Sequence, residues 1–185
     1  MKYTPLPLSG SFVIDLEMDQ DERGFFARTF CRQEFLKRDL QADFKQCSLS
    51  YNSLKGTLRG MHFQTAPHEE VKLVSCIQGA IFDVIIDVRP VSKTYGRWAF
   101  VELSSKNYKM LYVPKGFAHG FQTLEDHTKV YYQISSDFIP SAARGIRWND
   151  PYFSIDWPYT NGLTISLKDQ SYPDFTHEEN LSHRR

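Results

Sequence analysis

The chain has 185 residues, 41% hydrophobic and 24% charged, enough to bury a substantial core, and it is read as a single domain over residues 1–185. Lysine plus arginine equals aspartate plus glutamate at 22 each, so no global field draws in nucleic acid or an anionic membrane, and neither is expected as a partner. Cys31, Cys47 and Cys76 are odd in number and widely spaced; without a signal peptide or an apolar stretch near transmembrane length, they point to a cytoplasmic protein with reduced thiols.

A Pro-punctuated opening leads into a short strand, Ser11 to Leu16, then a turn at Asp21-Glu22-Arg23-Gly24 and a strand from Phe25 to Phe30. Arg32 to Leu40 is the one segment with helical spacing, with Phe35, Leu36 and Leu40 on one side. Strand signals then follow closely: Leu58 to Gln64, Val71 to Ile77, Ile81 to Val88, Arg97 to Leu103, Met110 to Val113, Phe117 to Thr123 and Val130 to Ile134. Short strands at this spacing predict an all-β sandwich or barrel, of which a jelly roll is the favoured form. Trp148 to Phe175 carries prolines and aromatics without periodicity and is expected to pack as loops and helical turns. The polar tail from His177 to Arg185 is expected to be loosely ordered.

Chemistry concentrates in the run Gly56-Thr57-Leu58-Arg59-Gly60-Met61-His62-Phe63-Gln64. Arg59 can hold a phosphate or carboxylate in two-point fashion, and His62 is the side-chain type best suited to moving a proton near neutrality. Strand alternation puts Lys72 on the apolar face with Val74 and Cys76, where it either snorkels to the rim or meets an anion inside. Tyr132 shares a face with Val130 and Ile134 and should point inward. His119 follows a Pro-x-Gly turn at a spacing that matches the second motif of cupin barrels. Metal-binding cupins usually supply a His-x-His pair, but Gln64 stands two residues after His62, so no metal is expected. No Walker or Rossmann glycine loop is present, and no cofactor is expected. Two histidines, a lysine, an arginine and a tyrosine suit proton abstraction beside a carbonyl in an anionic substrate.

Over nearly its whole length the chain resembles the dTDP-4-dehydrorhamnose 3,5-epimerases, cupin-type jelly-roll enzymes that act on sugar nucleotides. The matching segments are Asp21 to Phe26, Leu58 to Gln64, Lys72 to Val74, Pro114 to Phe121, Trp148 to Pro151, Trp157-Pro158 and Ser166 to Asp169. The resemblance implies that His62 is the general base, oriented by Asp169, and that Tyr132 is the acid on the opposite face. It implies that Lys72 stabilises the enolate oxygen, with His119 and Arg59 lining the same pocket, and that Arg59, Arg23 and Lys168 hold substrate, several of them at the diphosphate. Gln46 and Ser48 would approach the sugar, and Phe26 would stack on the nucleotide base from the neighbouring subunit of a homodimer.

The chain departs from the family pattern at several of these positions. Arg28 stands where the family usually has a glutamate that accepts from thymine N3, which suggests a CDP-sugar substrate in preference to a dTDP-sugar. Ser48 replaces an asparagine, Phe138 a frequent tyrosine, and Ala143 a carboxylate. Inversion is expected at C3, with C5 open. The competing readings are a dTDP-sugar 3,5-epimerase, a cupin 3,4-ketoisomerase, a metal-dependent cupin and a non-catalytic sugar-nucleotide binder.

Overall fold

The computed structural model describes residues 1–176; the tail expectation lies outside the described residues. The elements in order are β1 (Lys2–Pro5), β2 (Phe12–Asp15), β3 (Met18–Asp21), β4 (Gly24–Ala27), α1 (Arg32–Leu36), β5 (Gln46–Asn52), β6 (Thr57–Gln64), β7 (Lys72–Gln78) and β8 (Ala80–Asp87). They continue with β9 (Trp98–Ser104), β10 (Met110–Val113), β11 (Phe117–Thr123), β12 (Thr128–Ile134), a 3-10 turn (Pro140–Ala142), β13 (Ala143–Gly145), β14 (Thr164–Ile165) and α2 (Leu167–Gln170). One sheet runs β1-β2-β10-β7-β12-β5 and the other β13-β6-β11-β8-β9, with β14 joined to β6; β3 and β4 pair only with each other.

The two large sheets face each other across a shared core. Val74, Cys76, Leu111, Val113 and Val130 from one sheet meet Ile81, Ile85, Leu103, Phe117 and Phe121 from the other. The outer face of the second sheet carries Met61, Phe82, Val84 and Ile86 and is covered by Ile146, Phe153 and Trp157 of the C-terminal segment. The outer face of the first sheet is covered at one end by α1, where Phe35 packs on Leu73, Met110 and Tyr112. This double coverage explains why β8 reads as one unbroken buried run: both of its faces are covered. The expected all-β jelly-roll architecture, with short helical pieces and a loop-rich C-terminus, is the one found.

The helix is shorter than its spacing predicts. Asp39 takes a left-handed conformation (φ 56°), and the N–H of Leu40 returns to the carbonyl of Phe35 at 3.0 Å, which closes the helix at its first turns. Leu36, expected on the buried side, is exposed, whereas Phe35 and Leu40 are buried. The segment expected as a strand from Phe25 to Phe30 is instead the second arm of the β3–β4 hairpin and ends at Ala27. β5 was not anticipated: it is an edge strand of mostly exposed residues whose alternating Leu49 and Tyr51 face outward, while the polar Gln46, Ser48 and Ser50 line the inner side.

Candidate active site

Between the sheets lies a cavity of about 590 Å³. One wall comes from β6 and β11, the other from β5, β7 and β12, and the α2 segment closes a side. Strand alternation alone would send Arg59 and His62, three residues apart, to opposite faces. A register shift intervenes: Arg59 pairs with Phe121 and His62 with His119, so β6 spends one more residue than β11 over the same span. Both side chains therefore line the cavity. Gly60 sits at this bulge with φ 127°, and a Cβ there would come within 2.5 Å of Gly120 Cα, so no larger residue fits.

His62 Nε2 lies 2.7 Å from Asp169 Oδ1. Asp169 is buried on α2, where its backbone N–H is capped by Ser166 Oγ at 3.1 Å, and its Oδ2 accepts from the N–H of Gly60 at 3.2 Å. Burial pushes the Asp169 carboxyl up, but the hydrogen bond and charge of His62, with the Gly60 and Ser166 contacts, outweigh it and hold the net value below the ordinary carboxylate range. The backbone bulge that turns His62 inward also supplies the donor that steadies its carboxylate partner.

The facing wall carries Tyr132 on β12, with Ser48 opposite it on β5 and Val74 opposite it on β7. Burial lifts the Tyr132 phenol well above its usual value, and the Asp83 carboxylate adds to the rise, so it stays protonated through neutral pH. Lys72 takes the inward alternative, nearly buried, with Nζ 2.8 Å from Glu70 Oε1 and 3.4 Å from the carbonyl oxygen of His62. Gln46, Ser48 and Lys168 also line the cavity.

His119 is buried, and its Nε2 lies 2.7 Å from Asp83 Oδ1, while Asp83 Oδ2 has no hydrogen-bond partner. Burial drives the Asp83 carboxyl up, opposed by His119 and Lys72. Each histidine of the site is thus tied to its own buried carboxylate. Sequence reasoning missed Asp83, whose signal was a carboxylate on the inner face of the apolar run Ile81 to Val88. It also missed Glu70, and it missed Asn52, whose Oδ1 accepts from Arg59 Nε at 2.7 Å; neither carries a local sequence signal.

Arg23, Phe26 and Arg28 do not line this chain's own cavity; Phe26 is expected at the neighbouring subunit's site. Arg23 is held by Asp21 within the β3–β4 hairpin, Phe26 is 76% exposed on the same hairpin, and Arg28 lies 3.9 Å from Glu34. The reason is topological: the hairpin pairs with neither large sheet, and Phe25 anchors it against Tyr108 at 4.9 Å. Arg28, 64% exposed, is not part of this cavity, which gives the CDP preference no support.

Among the described residues no helix is long and apolar enough to cross a membrane, and all three cysteines are free thiols. Comparison with known proteins places this geometry. The family model for dTDP-4-dehydrorhamnose 3,5-epimerase matches residues 5–177. The dTDP-4-dehydrorhamnose 3,5-epimerase of Escherichia coli strain K12 is 43% identical over 151 residues, covering 81% of each chain. The crystal structure of the Elizabethkingia anophelis enzyme of the same name superposes with a TM-score of 0.92 at 36% identity, covering 95% of this chain and 96% of that one. A dTDP-6-deoxy-D-glucose-3,5-epimerase from Legionella pneumophila Philadelphia 1, solved in complex with dTDP-4-keto-L-rhamnose, gives a TM-score of 0.87 at 33% identity, covering 92% of this chain and 90% of that one. These relatives are named for dTDP-sugars, and nothing in the comparisons favours a CDP-sugar. The cupin jelly roll, the paired His–carboxylate contacts and the match along almost the entire chain lead to one conclusion: the chain belongs to the dTDP-4-dehydrorhamnose 3,5-epimerase family.

Proposed function

We propose that the protein is a cofactor-independent epimerase of dTDP-4-keto-6-deoxyglucose that inverts C3 and C5. The observation that carries this reading is the opposition of the His62–Asp169 pair on one wall to the protonated Tyr132 on the other, across a single cavity. The C4 ketone acidifies the protons on C3 and C5. His62 removes such a proton, and Asp169 stabilises the imidazolium that forms. Negative charge then develops on the C4 oxygen, and Lys72 and His119 are assigned to meet it; a donor aimed at such an oxygen typically contributes about 10²–10³ in rate. Tyr132 returns a proton to the carbon from the other face. His62 then holds one proton more and Tyr132 one fewer, and exchange with solvent resets both. Arg59 and Lys168 are assigned to the diphosphate, and Gln46 and Ser48 to the sugar.

The proposal includes a cytoplasmic homodimer. Its support is the projecting hairpin with Phe26 exposed, together with Leu49 (58% exposed) and Tyr51 (51%) on the outward face of β5. In such a dimer Arg23, Phe26 and Arg28 act at the partner's nucleotide site. Mixing a His62→Asn protein with a Phe26→Ala/Arg23→Ala protein should then regenerate activity through mixed dimers, and an absence of recovery would argue for self-contained sites.

Incubation with dTDP-4-keto-6-deoxyglucose in deuterated water tests the reaction. Deuterium should enter C3 and C5 with the 4-ketone retained, the CDP analogue should react poorly, activity should survive chelation, and His62→Asn should abolish exchange. Migration of the ketone, or no label in the wild type, would overturn the assignment.

A further inference from the structure

Gly145 on β13 is the cross-strand partner of His62. A Cβ on Gly145 would lie 2.1 Å from ring carbons of Tyr172, so the glycine yields the space beside His62 to a tyrosine from the segment after α2. The Tyr172 ring meets the imidazole edge-on, with centroids 6.4 Å apart and planes at 69°, and forms part of the cavity wall. Its phenol is raised, by burial first and by the Asp169 carboxylate second, and is therefore neutral where it sits.

Tyr172 is held in place on both sides along the chain. Before it, α2 is capped by Ser166. After it, Asp174 pairs with Arg147, the N–H of Phe175 donates to Asp150 Oδ2 at 2.6 Å, and the Phe175 ring packs on Phe153 at 4.9 Å. The Asp169 contact fixes only one ring nitrogen of His62, which leaves the imidazole free to pivot about that bond unless something meets its flank. We propose that Tyr172, admitted by Gly145, is a positioning residue for His62: its ring stops that pivot and aims the free ring nitrogen at the substrate carbon. This rests on His62 being the base, as assigned above.

Four variants test it: Tyr172→Ala, Tyr172→Phe, Gly145→Ala and the double Gly145→Ala/Tyr172→Ala. A modest misalignment of a reacting group is the expected lesion, so Tyr172→Ala should lower kcat for solvent exchange about tenfold while KM stays within about twofold. Tyr172→Phe keeps the ring and should retain most of kcat. Gly145→Ala should reproduce the loss by displacing the ring, and should add nothing in the Tyr172→Ala background, where its Cβ enters vacated space. Should Tyr172→Ala melt at the assay temperature, Tyr172→Leu takes its place.

The His62 ring resonances give a readout that needs no substrate: they should broaden or average in Tyr172→Ala and stay sharp in Tyr172→Phe. That measurement stands even if the sugar proves to be a different one. Unchanged kcat and spectra in Tyr172→Ala would overturn the proposal. So would an equal loss in Tyr172→Phe, which would make the hydroxyl the active part, or additive losses in the double variant.

Discussion

Replacing Asp169 by asparagine changes one atom at the centre of the site and leaves its volume almost untouched. The new amide has two orientations, and neither serves the base. With its oxygen toward His62, the NH₂ group faces the N–H of Gly60, so two donors meet where a 3.2 Å hydrogen bond stood. With the amide flipped, NH₂ donates to Nε2 and forces the proton onto Nδ1, which then cannot accept one from carbon. Either way the imidazolium loses the carboxylate 2.7 Å away. The equivalent exchange in a serine-protease triad costs about 10⁴ in kcat, chiefly through the wrong tautomer. With the Lys72 and His119 donors intact, the expected loss here is about 10²–10⁴, or roughly 3–5 kcal/mol of barrier. The assay is deuterium entry into C3 and C5 of the 4-keto sugar, read by mass spectrometry, with circular dichroism to verify the fold. A folded Asp169→Asn protein that exchanges within about threefold of wild type would refute the pairing as the source of basicity.

Other perturbations separate the remaining parts. Tyr132→Phe should leave hydrogen abstraction measurable as substrate exchange while lowering inversion by about 10²–10⁴, because the acid is lost and the base is not; equal loss of both would contradict opposed roles. Asp83→Asn keeps an acceptor for His119 but removes a buried charge. Because the folded Asp83 value is raised, its contribution to stability is present below the ordinary carboxylate pKa and lost as pH rises. The variant should therefore melt no lower than wild type at pH 8 while losing at least about tenfold in kcat; a clear drop in Tm with kcat intact would reverse the interpretation. Asp169 and Asp87 run the opposite way. Burial raises Asp87, but Arg89, Ser92 and Thr94 more than offset it, so both carboxyls titrate below the ordinary range. Their stabilisation is full above the unfolded value and lost as pH falls through the folded ones, so Asp87→Asn should flatten the acid limb of Tm against pH below about pH 4. An unchanged limb would exclude that carboxylate as a cause of acid unfolding.

Local pattern determined much of this protein. Alternation put Lys72 on the apolar face of β7 and Tyr132 on that of β12, and both line the cavity, because a strand repeats every two residues whatever lies across from it; His119 was singled out by its spacing from the Pro-x-Gly turn. The spaced motifs were enough to identify the family. Other features depend on contacts between distant segments and leave no local trace. β5 alternates on an edge with its apolar Leu49 and Tyr51 turned outward, and which of its faces meets the cavity is set by its ladder with β12. Arg59 and His62 reach the same cavity through a bulge set against β11, and Asp169 becomes their neighbour only when α2 folds back under Gly60. The hairpin that carries Arg23 and Phe26 contains the expected residues but pairs with neither sheet, so its chemistry is directed elsewhere. Tyr172 beside His62 required a missing side chain on a third strand. Side-chain direction along a strand is set by covalent geometry within a few residues; which strands, turns and gaps face one another is set by how the whole chain packs.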